Sequence, residues 1–211
     1  GRFSLPGRPV IDKRRQPLCQ ENCPLGVNVQ GYVALTRAGR YREALALIRR
    51  DNVLPGICGR VCTHPCELAC RRTELDEPLA IRDIKRFLAD YQMAADEVTD
   101  PAASSVPEST APPTVSNAAT AQPAASVAVI GSGPAGLAAA ADLARSGYSV
   151  TVYEKEDQPG GLLRYGIGPY RLPRTVLDYE IDTIRRLGVT IRTSHPVDSG
   201  PALDQLRATH A

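Results

Sequence analysis

The sequence predicts an α + α/β chain: an all-helical N-terminal unit, a flexible linker, and the first βαβ part of an incomplete Rossmann-like domain. Three observations lead there. Apolar residues recur at helical spacing up to about residue 93; residues 94 to 125 are almost entirely Ala, Pro, Ser, Thr and Val; and after them a short apolar strand runs straight into a glycine-rich turn. The expected units are therefore 1–93, 94–125 and 126–211.

In the first unit the helical repeat is carried by Val29, Tyr32, Val33 and Leu35, then by Ala44, Leu45, Leu47 and Ile48, and again by Ile81, Ile84, Phe87, Leu88 and Tyr91. These are the i, i+3, i+4 positions of one buried helix face. The segment that follows has no Leu, aromatic, Lys or Arg and cannot bury enough apolar surface to fold. As a flexible coil it would span about 30 Å, so the flanking units need not move as one body.

Beyond the linker, Ser126–Ile130 reads as a strand, Pro134–Arg145 as a helix, Val150–Tyr153 as a second strand, Pro173–Leu187 as a helix and Val189–Thr193 as a third strand. Alternation of this kind implies a parallel sheet with right-handed crossovers. A half-fold of this type exposes a sheet edge, so the sequence is expected to be a truncated stretch or a subunit completed by another chain.

Composition excludes several function classes. A net charge of +2 with scattered basic residues argues against nucleic-acid binding. No run approaches the roughly 18 apolar residues of a membrane span, and Gly1 to Pro9 lacks a secretory core, so no membrane insertion and a cytoplasmic address are expected.

Cys58, Cys62, Cys66 and Cys70 stand four residues apart, and the pair Cys19 and Cys23 repeats that spacing. A regular helix would make the later four a stripe of small buried thiols. Gly56, Gly59 and Pro65 argue instead for turns that let thiols converge on a metal. Zinc is compatible with the spacing, but six thiols in two groups suit an iron-sulfur cluster better.

The turn after the first strand is Gly131-Ser-Gly133-Pro134-Ala135-Gly136, a G-x-G-x-x-G between strand and helix. Gly131 permits the tight turn, Gly133 the approach of a pyrophosphate, and Gly136 close helix packing, with phosphates at the helix N-terminus. Glu154, followed by Lys155, ends the second strand where a carboxylate would bond ribose hydroxyls. Gly160 and Gly161, followed by Leu162 and Arg164, offer flexible backbone where a flat cofactor could pass. No general acid, base or nucleophile is assigned, and His64 is read as packing beside the cysteines rather than as a ligand.

The stretches Leu54-Pro-Gly-Ile-Cys58-Gly-Arg-Val-Cys62-Thr-His-Pro-Cys66-Glu-Leu-Ala-Cys70, Asp76-Glu-Pro-Leu-Ala-Ile-Arg-Asp-Ile-Lys85 and Gly160-Gly-Leu-Leu-Arg-Tyr-Gly-Ile-Gly-Pro-Tyr-Arg-Leu-Pro173 together resemble a known family. It is that of the NAD(P)H oxidoreductases typified by the small subunit of glutamate synthase and the N-terminal part of dihydropyrimidine dehydrogenase. The resemblance implies a helical 4Fe-4S domain docked on an FAD domain, with NAD(P)H bound by a region or partner outside this chain and electrons passing to other redox subunits. A non-catalytic adaptor with a structural metal centre is the alternative.

The chain departs from the family pattern at two places. An additional Cys-x-x-Cys expected before Cys19 is replaced by Ile11 to Leu18, and Lys85 stands where the family often supplies a Gln or Glu ligand. One cluster or two is therefore the expectation. Carried over, the resemblance gives Cys23, Cys62 and Cys66 to one cluster; Cys58 is expected to replace the missing amide or carboxylate as its fourth ligand, and Cys19 and Cys70 are either left over or complete the cluster in another combination.

Overall fold

The computed structural model describes residues 16–98 and 125–210. Its first part is helical: α1 (Leu18–Glu21), α2 (Val29–Arg37), α3 (Tyr41–Arg49), α4 (Pro55–Val61), α5 (Pro65–Leu68), a 3-10 turn (Arg71–Glu74) and α6 (Ile81–Val98). Asn28 caps α2, its side chain accepting from the Gly31 N–H at 2.9 Å. Pro55 and Pro65 open α4 and α5, where the missing N–H costs nothing. Val27, Val29, Tyr32, Ala44, Leu45, Ile48, Ile81 and Leu88 form the core, with Cys66 among them. Phe87 and Tyr91 instead lie at its edge, half-exposed and stacked edge-on against Tyr41.

Helix α6 continues to Val98, five residues past the expected boundary after Met93. Met93 packs on the core and Gln92 bonds Asp96, so this end is held by side chains that its Ala-rich composition hides. The rest of the expected linker, 99 to 124, lies outside the described residues.

The second part runs β1 (Ser126–Ile130), α7 (Pro134–Arg145), β2 (Ser149–Tyr153), α8 (Leu162–Tyr165), α9 (Arg174–Arg185), β3 (Thr190–Arg192) and α10 (Gly200–Thr209). The strands form one parallel sheet in the order β1-β2-β3, with Val127 opposite Val150 and Val152 opposite Ile191. The sheet is thus the open half expected from the sequence. Helix α10 was not expected: Ser199 caps it, but none of its residues is buried, so it carries no strong apolar period.

The two parts share a core. Val53, Leu54 and Ile57 pack with Leu137, Leu172, Val176, Leu177 and Ile181 in a single cluster. The Gly56 N–H donates to Glu180 Oε1 at 2.9 Å, and the Tyr179 hydroxyl to Asp96 at 2.7 Å. The linker composition gave no hint of this, because the docking residues lie elsewhere.

Gly56 and Gly59 correct a second expectation, that the glycines break the helix around Cys58. Both are helical residues of α4. A Cβ at Gly56 would meet Glu180 Oε1 at 2.7 Å, and one at Gly59 would meet Arg86 Cα at 2.8 Å, so their role is close packing of α4 onto α9 and α6. Ala in place of Gly would gain about 1 kcal/mol of helix propensity. The clash of Gly59→Ala is with backbone that cannot swing aside, and overpacking costs ~1–3 kcal/mol. The expected result is net destabilisation, read as a lower urea midpoint.

Candidate functional site

Two adjoining sites are built from these elements. The first is the thiol region. Helix α4 carries Cys58 and ends at Cys62, His64 turns the chain with φ 50°, and α5 starts at Pro65 so that Cys66 points into the core. Cys19 and Cys23 pack against the same cluster from α1 and the turn after it. All six cysteines are free thiols.

Electrostatics give their neighbours. Burial pushes the Cys66 thiol up, Lys85 opposes this, and Cys23, Glu67 and Cys62 add to it. Burial also raises Cys58, against the Lys85 charge and the Asn52 amide, with Cys62 and Glu180 adding to the rise. Cys19 is raised by burial and by Cys70 and Cys23. Cys58 and Cys66 thus lie near Lys85 and Cys62, Cys66 also lies near Cys23, and Cys19 neighbours both Cys23 and Cys70. The Tyr32 hydroxyl, raised by burial and then by Cys66, Cys23 and Cys19, closes the region from α2.

Among the described residues no group of three or more His, Cys, Asp or Glu already stands close enough to hold a metal ion. The donor set nevertheless fits an iron-sulfur cluster. Its ligand atoms are soft thiols, whose protons a metal would displace on binding. Asn52 Nδ2, next to Cys58, is buried with no acceptor. The His64 N–H already donates to Cys62 Sγ at 3.3 Å. Backbone and amide donors aimed at sulfur are what such a cluster accepts. The His64 ring sits 3.2 Å from an Arg82 nitrogen and 3.7 Å from Glu67, beside the thiols.

The second site is the glycine loop. Gly131 has φ 92°, and a Cβ at Gly131 or Gly133 would meet nothing within 4 Å, leaving an open cradle before Pro134 and Ala135 at the start of α7. At Gly136 a Cβ would lie 2.0 Å from the Gly131 carbonyl oxygen, so helix and turn can touch only there. Gly161, with φ 51°, rests on this loop, a Cβ there reaching 2.9 Å from Gly133 Cα.

Ser132, fully buried, ties these parts together and was not singled out from the sequence. Its N–H donates to Glu154 Oε2 at 2.8 Å and its hydroxyl donates to the same oxygen, while accepting from the Gly160 N–H at 3.0 Å. Burial would raise the Glu154 carboxyl, but hydrogen bonds from Glu156, Ser132 and Lys155 outweigh it and hold the group below the usual carboxylate range. The Glu156 N–H donates to Oε1 at 3.0 Å.

Lys155 and Leu162 are exposed beside the loop, Lys155 pairing with Glu156 at 3.5 Å. Arg164 is nearly buried, its Nε donating to the Pro159 carbonyl at 2.7 Å and its Nη2 to Asp178, so its guanidinium braces the loop. No helix of the described residues is long and apolar enough to cross a membrane.

Residues 13–97 match the family model for dihydropyrimidine dehydrogenase domain II, 4Fe-4S cluster, and residues 129–200 that for the NAD(P)-binding Rossmann-like domain. Over 90% of its length the chain is 43% identical to the NADP(+)-dependent formate dehydrogenase subunit beta of Moorella thermoacetica. It is 35% identical over 90% to the NAD-dependent dihydropyrimidine dehydrogenase subunit PreT of Escherichia coli, and 38% identical over 91% to the glutamate synthase [NADPH] small chain of Mycobacterium tuberculosis. The chain spans 27%, 42% and 36% of these relatives. The helical part, residues 13–97, is therefore similar to the dihydropyrimidine dehydrogenase domain II 4Fe-4S family and residues 129–200 to the NAD(P)-binding Rossmann-like family, and the relatives that align across both parts are subunits of NAD(P)-linked oxidoreductases.

Proposed function

We propose that this chain is the flavin- and cluster-bearing part of a cytoplasmic NAD(P)H-linked oxidoreductase, relaying electrons between FAD and a 4Fe-4S cluster towards partner redox subunits. One observation carries the reading: α4, which bears Cys58, lies in the same apolar core as α7, α9 and the nucleotide-binding sheet. A single packed body would hold the two redox groups at a fixed separation. The relatives named above support the same division of labour.

In this reading the helical unit extends through Val98 and the nucleotide unit starts at Ser126. Gly131, Gly133, Pro134, Ala135 and Gly136 cradle the pyrophosphate, Glu154 at the end of β2 accepts from a ribose hydroxyl, and Lys155 supplies positive charge at the rim. Gly161 and Leu162 flank the flavin side, the exposed Leu162 side chain covering an apolar ring, while Arg164 fixes their loop. FAD, when bound, supplies the exchange between two-electron hydride and one-electron chemistry, and the cluster supplies the one-electron relay. Cys23, Cys58, Cys62 and Cys66 would hold that cluster. NAD(P)H binds through a region or partner outside these residues.

The test is metal and flavin analysis of anaerobically purified protein, beside its visible spectrum before and after dithionite. About four irons and one FAD per chain, bleaching on reduction, are expected; roughly eight irons would mean a second cluster. Zinc or no metal, without flavin, would overturn the reading in favour of an adaptor. Gly136→Ala provides a narrower check. Its Cβ would collide with a backbone carbonyl, so the variant is expected to lose ~1–3 kcal/mol and to be purified with little or no flavin. Full flavin occupancy would contradict the role of this loop.

A further inference from the structure

Lys85 is the most unusual side chain in the helical core. It lies on the buried face of α6 with Ile81, Leu88 and Ala89, and is only 7% exposed. Its helical neighbours on that face are apolar, and among the described residues it takes part in no ion pair with a carboxylate. An ammonium taken out of water costs several kcal/mol unless other groups compensate it.

The groups that face it are thiols. Helix α6 meets α4 so closely that a Cβ at Gly59 would touch the Arg86 backbone at 2.8 Å, so the turn of α6 that carries Lys85 packs on the turn of α4 that carries Cys58, while Cys66 enters the same core as Ile81 and Leu88 from α5. Both thiols feel the Lys85 charge. With protonated thiols this cation is uncompensated. With thiolates on an iron-sulfur cluster it faces a net anion, whose negative charge increases by one on reduction.

We propose that Lys85 is the buried counter-charge of the cluster, a positioning residue that favours the reduced state by electrostatic attraction without ligating iron. This rests on the cluster reading above. A fixed cation inside a low-dielectric core interacts more strongly with the more negative redox state, so it makes reduction by a flavin donor easier. The reduction itself is one electron added to the cluster, with no proton or ligand exchanged at Lys85.

The experiment is an EPR-monitored redox titration, with iron analysis, of the anaerobically purified holoprotein and its Lys85→Met and Lys85→Arg variants. Lys85→Met keeps the length of the side chain and removes its charge. It is expected to retain iron and the unsubstituted g-values while reduction becomes about tenfold less favourable, which is about 59 mV for one electron. Lys85→Arg, which keeps the charge, is expected to stay near the unsubstituted potential. Equal potentials in the unsubstituted and Lys85→Met proteins overturn the inference, as does a Lys85→Arg protein that falls with Lys85→Met. Loss of iron or altered g-values in a folded Lys85→Met protein also overturns it, since the amine would then hold the cluster. If Lys85→Met does not fold, Lys85→Leu, likewise uncharged and unable to ligate iron, carries the same measurement. Absence of iron from the unsubstituted protein would overturn the cluster reading itself, an outcome distinct from iron present with unchanged potentials.

Discussion

Cys62→Ala is expected to strip the chain of its cluster: iron content should fall to near zero and the visible absorbance with it. Cys62 stands where α4 ends and α5 has yet to begin, and the His64 N–H already donates to its sulfur at 3.3 Å. It neighbours both Cys58 and Cys66, so its removal takes the central member from the proposed set. Cluster ligation is coupled to folding, so the variant should also unfold at lower denaturant concentration than the loaded protein. The contrast is Cys70→Ala. Cys70 stands at the start of the 3-10 turn and neighbours Cys19, outside the proposed ligand set, and its loss should leave iron and spectrum intact. Unchanged iron in Cys62→Ala would sink the ligand assignment. Iron lost from Cys70→Ala but kept in Cys62→Ala would move the cluster to the Cys19 and Cys70 side.

The sequence made the secondary structure around both sites legible because local chemistry sets it. The glycine turn between β1 and α7 needs positive φ at Gly131 and no Cβ at Gly136, and both requirements are written into the residues themselves. The apolar repeat of α6 likewise marked Ile81 and Leu88 as core. What stayed hidden depends on contacts distant in sequence. Gly56 and Gly59 looked like helix breakers, yet they are helical, because the structure that demands them is Glu180 on α9 and Arg86 on α6. Lys85 and Glu180 are charged residues in core positions, which composition alone assigns to the surface. Asn52 and Ser132 have no motif of their own; their significance comes from the Cys58 thiol and the Glu154 carboxylate placed beside them. The resemblance implied docking of the two halves, but that it runs through α4 and α9 was hidden for the same reason.

Stability is expected to fall as pH rises from about 4.5 to about 7, and Glu180→Gln should abolish Glu180's share of that fall. Glu180 lies on α9 where it meets α4, with 1% exposure; Oε1 accepts from the Gly56 N–H, and Oε2 is buried without a partner. Burial pushes its carboxyl up to about 7, against the opposing pull of Arg49, the Gly56 N–H and Arg60, with Asp90 adding to the rise. Unfolded, the same group releases its proton near 4.5. Between those values the folded chain binds a proton that the unfolded chain does not. Stability therefore decreases with rising pH in this window, unlike the usual salt-bridged carboxylate, whose contribution is lost on acidification. At 1.36 kcal/mol per pKa unit the full span is roughly 3 kcal/mol. Urea unfolding of both proteins at about pH 5 and about pH 8 isolates the effect, because every other titrating group is common to the two. The stability of the unsubstituted chain relative to Glu180→Gln should drop by most of that amount at the higher pH. A relative stability that is the same at both pH values would mean that the carboxyl is already ionised in the folded protein, with the Arg49 guanidinium, whose Nε and Nη2 are buried without acceptors, as its counter-ion.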